Sequence, residues 1–348
     1  MKNKGIIVLV VILVVLVILA VVLFAMKVVG GKNNNEEQTN EVISLGTDTA
    51  KKEEEKKVQI YSGNDRPIAV MIDNHKSAWP QAGLNDAYLV YEIIVEGGET
   101  RLMPVFKGVS LDKIGPIRSS RHYFLDYALE NGAIYVHYGW SPQAESDIKK
   151  LKVNNINGIA QSAKDFWRVT DKKAPHNAVT STKNILQMAG EKGYKTQSNE
   201  KSVLNYQVEE INLDEGKTAS RVVIPYSTSN VVSYTYDETN KRYTRYSKNT
   251  KQTDWTTKKD ITTKNIIITF AENYKLNDGE NKDRQDLKNI GDKKGYYITN
   301  GKAIEIVCSK SSRTAKTVYK DLQGNEIKVN DGNTFIQICP IDAKVVIE

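Results

Sequence analysis

The sequence predicts an α+β/α/β protein: an N-terminal transmembrane helix, an α/β layered domain, then a β-rich C-terminal domain. Three observations carry this. An unbroken apolar run opens the chain, short apolar runs then alternate with helix-like segments, and the second half is a succession of strand-like runs parted by turn residues. The boundaries read as a cytoplasmic tip and anchor over 1–29, a stalk over 30–57, the α/β domain over 58–210 and the β-rich domain over 215–348.

Ile6 to Met26 contains no charge, Gly or Pro. At about 1.5 Å per helical residue such a run spans roughly 30 Å, the hydrocarbon thickness of a bilayer. It exceeds a signal peptide's apolar region, and Phe24-Ala25-Met26-Lys27 offers no Ala-x-Ala cleavage site. The N-terminal amine, Lys2 and Lys4 precede it, which favours a cytoplasmic N-terminus, a single pass and an extracytoplasmic ectodomain. The following Asn-, Glu- and Lys-rich stretch to residue 57 has too little apolar surface to offset its ordering entropy, so a flexible stalk is expected.

Ile68-Ala69-Val70-Met71-Ile72 reads as a buried strand, and Tyr88 to Val95 and Leu102 to Lys107 as two more. Gly115-Pro116 is expected to open a helix through Tyr123, Phe124, Tyr127 and Ala128, stopped by Asn131-Gly132. Ala133 to Tyr138 is a strand. Ser141-Pro142 is an N-cap with proline at the first helical position, leading into Glu145 to Lys152. Thr180-Ser181-Thr182 starts a further helix through Ile185, Leu186 and Met188. In the second half, strand-like runs such as Ile266 to Phe270, Gly295 to Thr299, Ala303 to Val307 and Phe335 to Ile338 alternate with turn signals, Asn300-Gly301 being a strong hairpin marker.

Lys and Arg exceed Asp and Glu by 49 to 42 without forming a dense basic block, so no nucleic-acid partner is expected. Cys308 and Cys339 are the only cysteines. They form either a disulfide between apposed strands or a pair of small buried hydrophobes. Two cysteines without a CxxC do not make a zinc site, and neither a metal nor a cofactor is expected.

No Walker loop, GxSxG, HExxH or GxGxxG is present. The densest polar cluster is Gly115-Pro116-Ile117-Arg118-Ser119-Ser120-Arg121-His122. Arg118, Ser119 and Arg121 at a helix start would hold an anion through guanidinium forks and free amides. Alternatively Ser119 or Ser120 caps the helix and the arginines are ion-paired. Asp73 and Asn74 follow the first buried strand, where α/β proteins collect ligand contacts. Glu92, Glu96, Glu99 and Arg101 come from the next two strands and their connection. The carboxylates serve either acid–base chemistry or as counter-ions of Arg118 and Arg121. His137 ends a strand and His176 lies in a loop, each a candidate base or a structural histidine.

The runs RPIAVMIDN at 66–74, GLNDAYLVYEIIVEGGETRLMPVF at 83–106, GPIRSSRHYF at 115–124, HYGWSPQAE at 137–145 and APHN at 174–177 resemble the YerB-like family of bacterial lipoproteins, the domain of unknown function 3048. NGKAIEI at 300–306 and GNTFIQICP at 332–340 add a second matching region. The resemblance implies an envelope-associated protein with an N-terminal α/β and a C-terminal β-rich domain, and it brings no catalytic mechanism. Many relatives carry a lipid on an N-terminal cysteine, where this chain has the apolar run. The expected function is a membrane-anchored protein binding an anionic ligand through Asp73, Asn74, Glu92, Glu99, Arg101, Arg118, Ser119, Arg121, His137 and His176. The rival is an envelope hydrolase using a carboxylate/His pair. The expected partners are the bilayer, through residues 6–26, and a cell-wall polymer or envelope protein.

Overall fold

The strand that joins the two halves of the chain comes from near the C-terminus. In the computed structural model, which describes residues 57–348, Thr334–Pro340 runs parallel to Leu89–Ile94 on one side and to Asn265–Lys275 on the other. One 13-stranded mixed sheet therefore passes through both expected domains. Its central order is Lys217–Thr218, Lys302–Lys310, Gly291–Thr299, Asn265–Lys275, Thr334–Pro340, β3 and β4, then β1, β5 and β6. Here β1 is Ile68–Val70, β2 Ile72–Asp73, β3 Leu89–Ile94, β4 Thr100–Phe106, β5 Ile134–His137 and β6 Asn155–Asn157, with β2 pairing β4 off the main path.

This corrects the expected α+β/α/β class: the protein is mostly β. Among the described residues there are three α-helices, α1 (Phe124–Glu130), α2 (Pro142–Lys150) and α3 (Thr182–Glu191). The alternation of apolar runs suggested strand–helix–strand crossovers, but β3 and β4 form an antiparallel hairpin, and most of the segments between strands are loops or single 3₁₀ turns. None of the described helices is long and apolar enough to cross a membrane. The expected anchor at 6–26 and the stalk through residue 56 lie outside the described residues.

Local signals explain individual elements. Ser141 accepts a hydrogen bond from the Ala144 amide and Pro142 occupies the first turn of α2, leaving few orphan donors. Ser181 caps α3 in the same way, accepting from the Asn184 amide. Asn300 and Gly301 both have positive φ, 47° and 72°, the conformation a two-residue hairpin demands between Gly291–Thr299 and Lys302–Lys310.

Strands β3 and β4 are buried along their whole length because both faces of the sheet are covered. On one face Val90, Leu102, Ile266, Ile268 and Phe335 meet Val222, Ile224, Val232, Tyr234 and Tyr243 of a second, six-stranded antiparallel sheet. On the other, Tyr91, Met103, Ile267, Ile336 and Ile338 meet Phe124, Leu125, Tyr127 and Ala128 of α1. Cys308 and Cys339 are free, buried thiols, which settles the open alternative in favour of small hydrophobes. Burial pushes the Cys308 thiol up to about 12, so it is protonated and inert at neutral pH.

Candidate functional site

Strand β2 ends the first apolar run and places neighbouring side chains in two different environments. Asp73 is buried, and its Oδ2 receives the His176 Nδ1–H at 2.7 Å and lies 3.2 Å from Arg118 Nε. Its Oδ1 accepts from the His75 amide at 3.0 Å. The ring of His75 stacks on that of His176, centroids 4.7 Å apart and planes 19° from parallel. The His75 Nδ1 accepts the Ser77 amide at 3.1 Å. Asp73, His75, Arg118 and His176 thus form a cluster with one side open to solvent: the Arg118 and His176 side chains are 26% and 17% exposed.

Asn74 is directed inward. Its amide donates to Glu92 Oε1 at 3.1 Å and to Thr100 Oγ1 at 2.7 Å, and its Oδ1 accepts from Gln81 at 2.9 Å. Glu92 is fully buried and is held by Arg245 NH2 at 3.0 and 2.9 Å to its two oxygens. Arg245 comes from the six-stranded sheet, so this closed network ties the two sheets together.

The remaining predicted residues sit beside or away from the open cluster. Arg101 and Arg121 share Glu96 as counter-ion, Arg121 also donating to the Ser120 carbonyl at 2.7 Å and Arg101 to the Ser119 carbonyl. Burial and the neighbouring Arg121 push the Arg101 guanidinium down to about 10. Ser119 donates to the Tyr138 carbonyl at 3.1 Å. Glu99 is bound by Lys248 at 2.5 Å. His137 is fully buried, with Nδ1 on the Gly139 carbonyl at 2.8 Å and Nε2 on Asn155 at 3.2 Å. Burial pushes this imidazole down to about 4, so it is neutral and structural at neutral pH.

The expected helix start at Gly115–His122 is corrected. Helix α1 begins only at Phe124, and its N-cap Tyr123 makes no side-chain cap. Residues 118–120 are instead stitched between loops and strands, with the Arg118 amide on the Met71 carbonyl and the Ser120 amide on the Gly139 carbonyl. Any anion chemistry here belongs to the guanidiniums. The turn carrying Glu96 depends on Gly98: its φ is +69°, and a Cβ there would come within 2.8 Å of Ser227.

Sequence reasoning missed Arg245, and it left His75 and Glu96 outside the expected ligand-binding set, although Glu96 as a counter-ion of Arg121 is as expected. His75 stood in the Asp73-Asn74-His75 run, and Glu96 among the carboxylates between strands. Arg245 carried no signal, because its partner Glu92 is 153 residues away. Among the described residues no group of three His, Cys, Asp or Glu side chains is arranged to hold a metal ion.

A relative from Bacillus subtilis (strain 168), named "Putative lipoprotein YerB", is 34% identical over 288 residues, spanning 79% of this chain and 81% of the relative. The crystal structure of the YerB protein from Bacillus subtilis superimposes with a TM-score of 0.73 at 32% identity, covering 81% of this chain and 94% of that one. The relative's name denotes attachment by lipid, whereas the expected localisation was a single-pass membrane protein with a cytoplasmic N-terminus. It is that name which overturns the expected localisation; the expected span at 6–26 itself lies outside the described residues. The N-terminal domain of the protein of unknown function DUF3048 matches residues 49–195 and its C-terminal domain residues 222–336; the chain belongs to this family.

Proposed function

We propose that this chain is a membrane-attached envelope protein that binds an anionic ligand at the open cluster of Asp73, His75, Arg118 and His176. Attachment to a membrane is supported by the lipoprotein name of the Bacillus subtilis relative. The observation that carries the binding reading is Arg118. Its Nε lies 3.2 Å from one buried carboxylate and is itself buried without a hydrogen-bond partner among the described residues, while the side chain is partly exposed. Arg101 and Arg121 stand close behind it and share a single counter-ion, Glu96. Such an excess of fixed guanidinium charge, already desolvated, favours an oxyanion.

The hydrolase alternative keeps only the Asp73–His176 pair, since His137 is enclosed and Glu99 is paired with Lys248. No serine or cysteine is hydrogen-bonded to His176 among the described residues, so the binding reading is better supported.

Calorimetric titration of the purified full-length chain with inorganic phosphate or sulfate at low ionic strength tests it. Binding should saturate at one site and weaken as salt rises toward about 0.15 M. Arg118→Gln should lower affinity at least about tenfold, the cost of a charge-assisted hydrogen bond, while the thermal midpoint barely moves. Absence of binding to both anions, or an Arg118→Gln protein that fails to fold, refutes the proposal.

A further inference from the structure

The two stacked imidazoles are held in opposite tautomers. Asp73 is a carboxylate and can only accept, so the His176 Nδ1 carries the proton, which leaves Nε2 of the neutral ring as a bare lone pair. The His75 Nδ1 accepts a backbone N–H from Ser77, so the proton of that neutral ring is on Nε2. The open cluster therefore presents two kinds of donor, the Arg118 guanidinium and the His75 Nε2–H, beside one acceptor, the His176 Nε2.

An acceptor in an anion site is selective. A carboxylate or a sulfate has only lone pairs to set against it, whereas an oxyanion that keeps a hydroxyl can donate. We infer that the Asp73–His176 pair makes this site specific for a hydroxyl-bearing tetrahedral oxyanion, of which hydrogen phosphate is the simplest. The inference rests on the anion-binding reading above and names the ligand class. Arg118 and His75 hold the ionised oxygens, and His176, positioned by Asp73, accepts from the hydroxyl. The surrounding side chains do not duplicate the acceptor: Arg101 and Arg121 are donors, and Glu96 is occupied by both.

Hydrogen phosphate and sulfate at about pH 8.5, above the ordinary imidazole range, are dianions of the same shape that differ in one proton. Titrating the full-length chain with each at equal ionic strength isolates that proton. Hydrogen phosphate should bind about tenfold or more tightly than sulfate, because sulfate leaves a lone pair facing a lone pair. Methyl phosphate, a dianion without a hydroxyl at this pH, should follow sulfate, which separates free phosphate from a phosphate ester. His176→Phe, which keeps the ring stack, should bring the phosphate-to-sulfate ratio to about one with sulfate affinity little changed. His75→Phe should weaken both anions alike. Equal affinity for phosphate and sulfate in the native chain, methyl phosphate matching phosphate, or a ratio that survives His176→Phe overturns this inference and leaves anion binding standing. Failure to bind any of the three anions removes the underlying reading instead.

Discussion

Asp73 and Asn74 are adjacent in the chain and belong to two polar systems of opposite construction. Asn74 enters a closed network in which Glu92 and Arg245 are both fully buried and the partners come from both sheets. Asp73 enters an open cluster in which Arg118 and His176 reach solvent. A charge pair inside a low-dielectric interior contributes to stability mainly by what its loss would leave behind, an uncompensated ion. A charge at a water-filled mouth loses little when its partner is removed, because solvent replaces the partner. The closed network accordingly ties the six-stranded sheet to the large one, and the open cluster is where the proposed ligand would bind.

The largest effect that could break this division is at Arg245. Arg245→Met strands the Glu92 carboxylate in the interior and should destabilise the protein by about 3–5 kcal/mol, read as a fall in the denaturant midpoint. Glu92→Leu combined with Arg245→Met should cost less than the two single changes added, since neither charge is then left alone. Arg118→Gln on the open side should cost less than about 1 kcal/mol. If Arg245→Met is as mild as Arg118→Gln, the two systems are not different in kind.

The sequence made the locally determined features readable and left the long-range ones hidden. Ser141-Pro142 and Asn300-Gly301 act through hydrogen bonds and dihedral preferences within a few residues, so the start of α2 and the long hairpin were legible. The placement of Thr334–Pro340 between β3 and Asn265–Lys275 was not. Parallel pairing over that separation is decided by tertiary packing and has no local signature, so the halves read as an α/β domain and a separate β domain. In the site, Asp73, Arg118 and His176 were visible as residue types, but the Asp73–His176 contact spans 103 positions and nothing in the spacing announces it. Arg245 lies in the strand Arg242–Ser247, where Tyr243, Arg245 and Ser247 share the inward face. An arginine in an alternating strand ordinarily marks the solvent side, and only the buried Glu92 reverses that.

The histidines sharpen the comparison at the next level. His137 is enclosed between Tyr135 and Trp140, with ring centroids 5.2 and 5.5 Å away, and burial holds it down at about 4 against an ordinary 6.5. The unfolded chain therefore binds a proton that the folded chain refuses. Its contribution to stability is complete above about pH 6.5 and is lost as pH falls toward 4, amounting to about 3 kcal/mol. Urea unfolding at a series of pH values should show this slope, and His137→Phe, which keeps the aromatic packing, should flatten it. An unchanged slope in His137→Phe would mean that the imidazole is not the group refusing the proton.

The smallest expected effect lies at an intermediate case, a charge pair that is neither closed nor open. Asp286 accepts from the Tyr274 hydroxyl at 2.7 Å and pairs with His122 at 2.7 Å across from the start of α1. Burial alone would raise its carboxyl, but the hydrogen bonds from His122 and Tyr274 outweigh it and hold the group down at about 2. A depressed carboxylate supports the fold above its ordinary value of 3.8 and loses that support as pH falls toward 2. Because the Asp286 side chain is a quarter exposed, solvent screening reduces the contribution to about 1 kcal/mol or less. Asp286→Asn should therefore leave the stability profile above pH 4 lowered by that amount and converge on the parent profile near pH 2. Convergence follows from the linkage: once the parent's carboxyl is protonated, both chains present a neutral side chain to His122. Two parallel profiles down to pH 2 would instead mean that Asp286 acts through shape and hydrogen bonding rather than charge, placing it with the closed network.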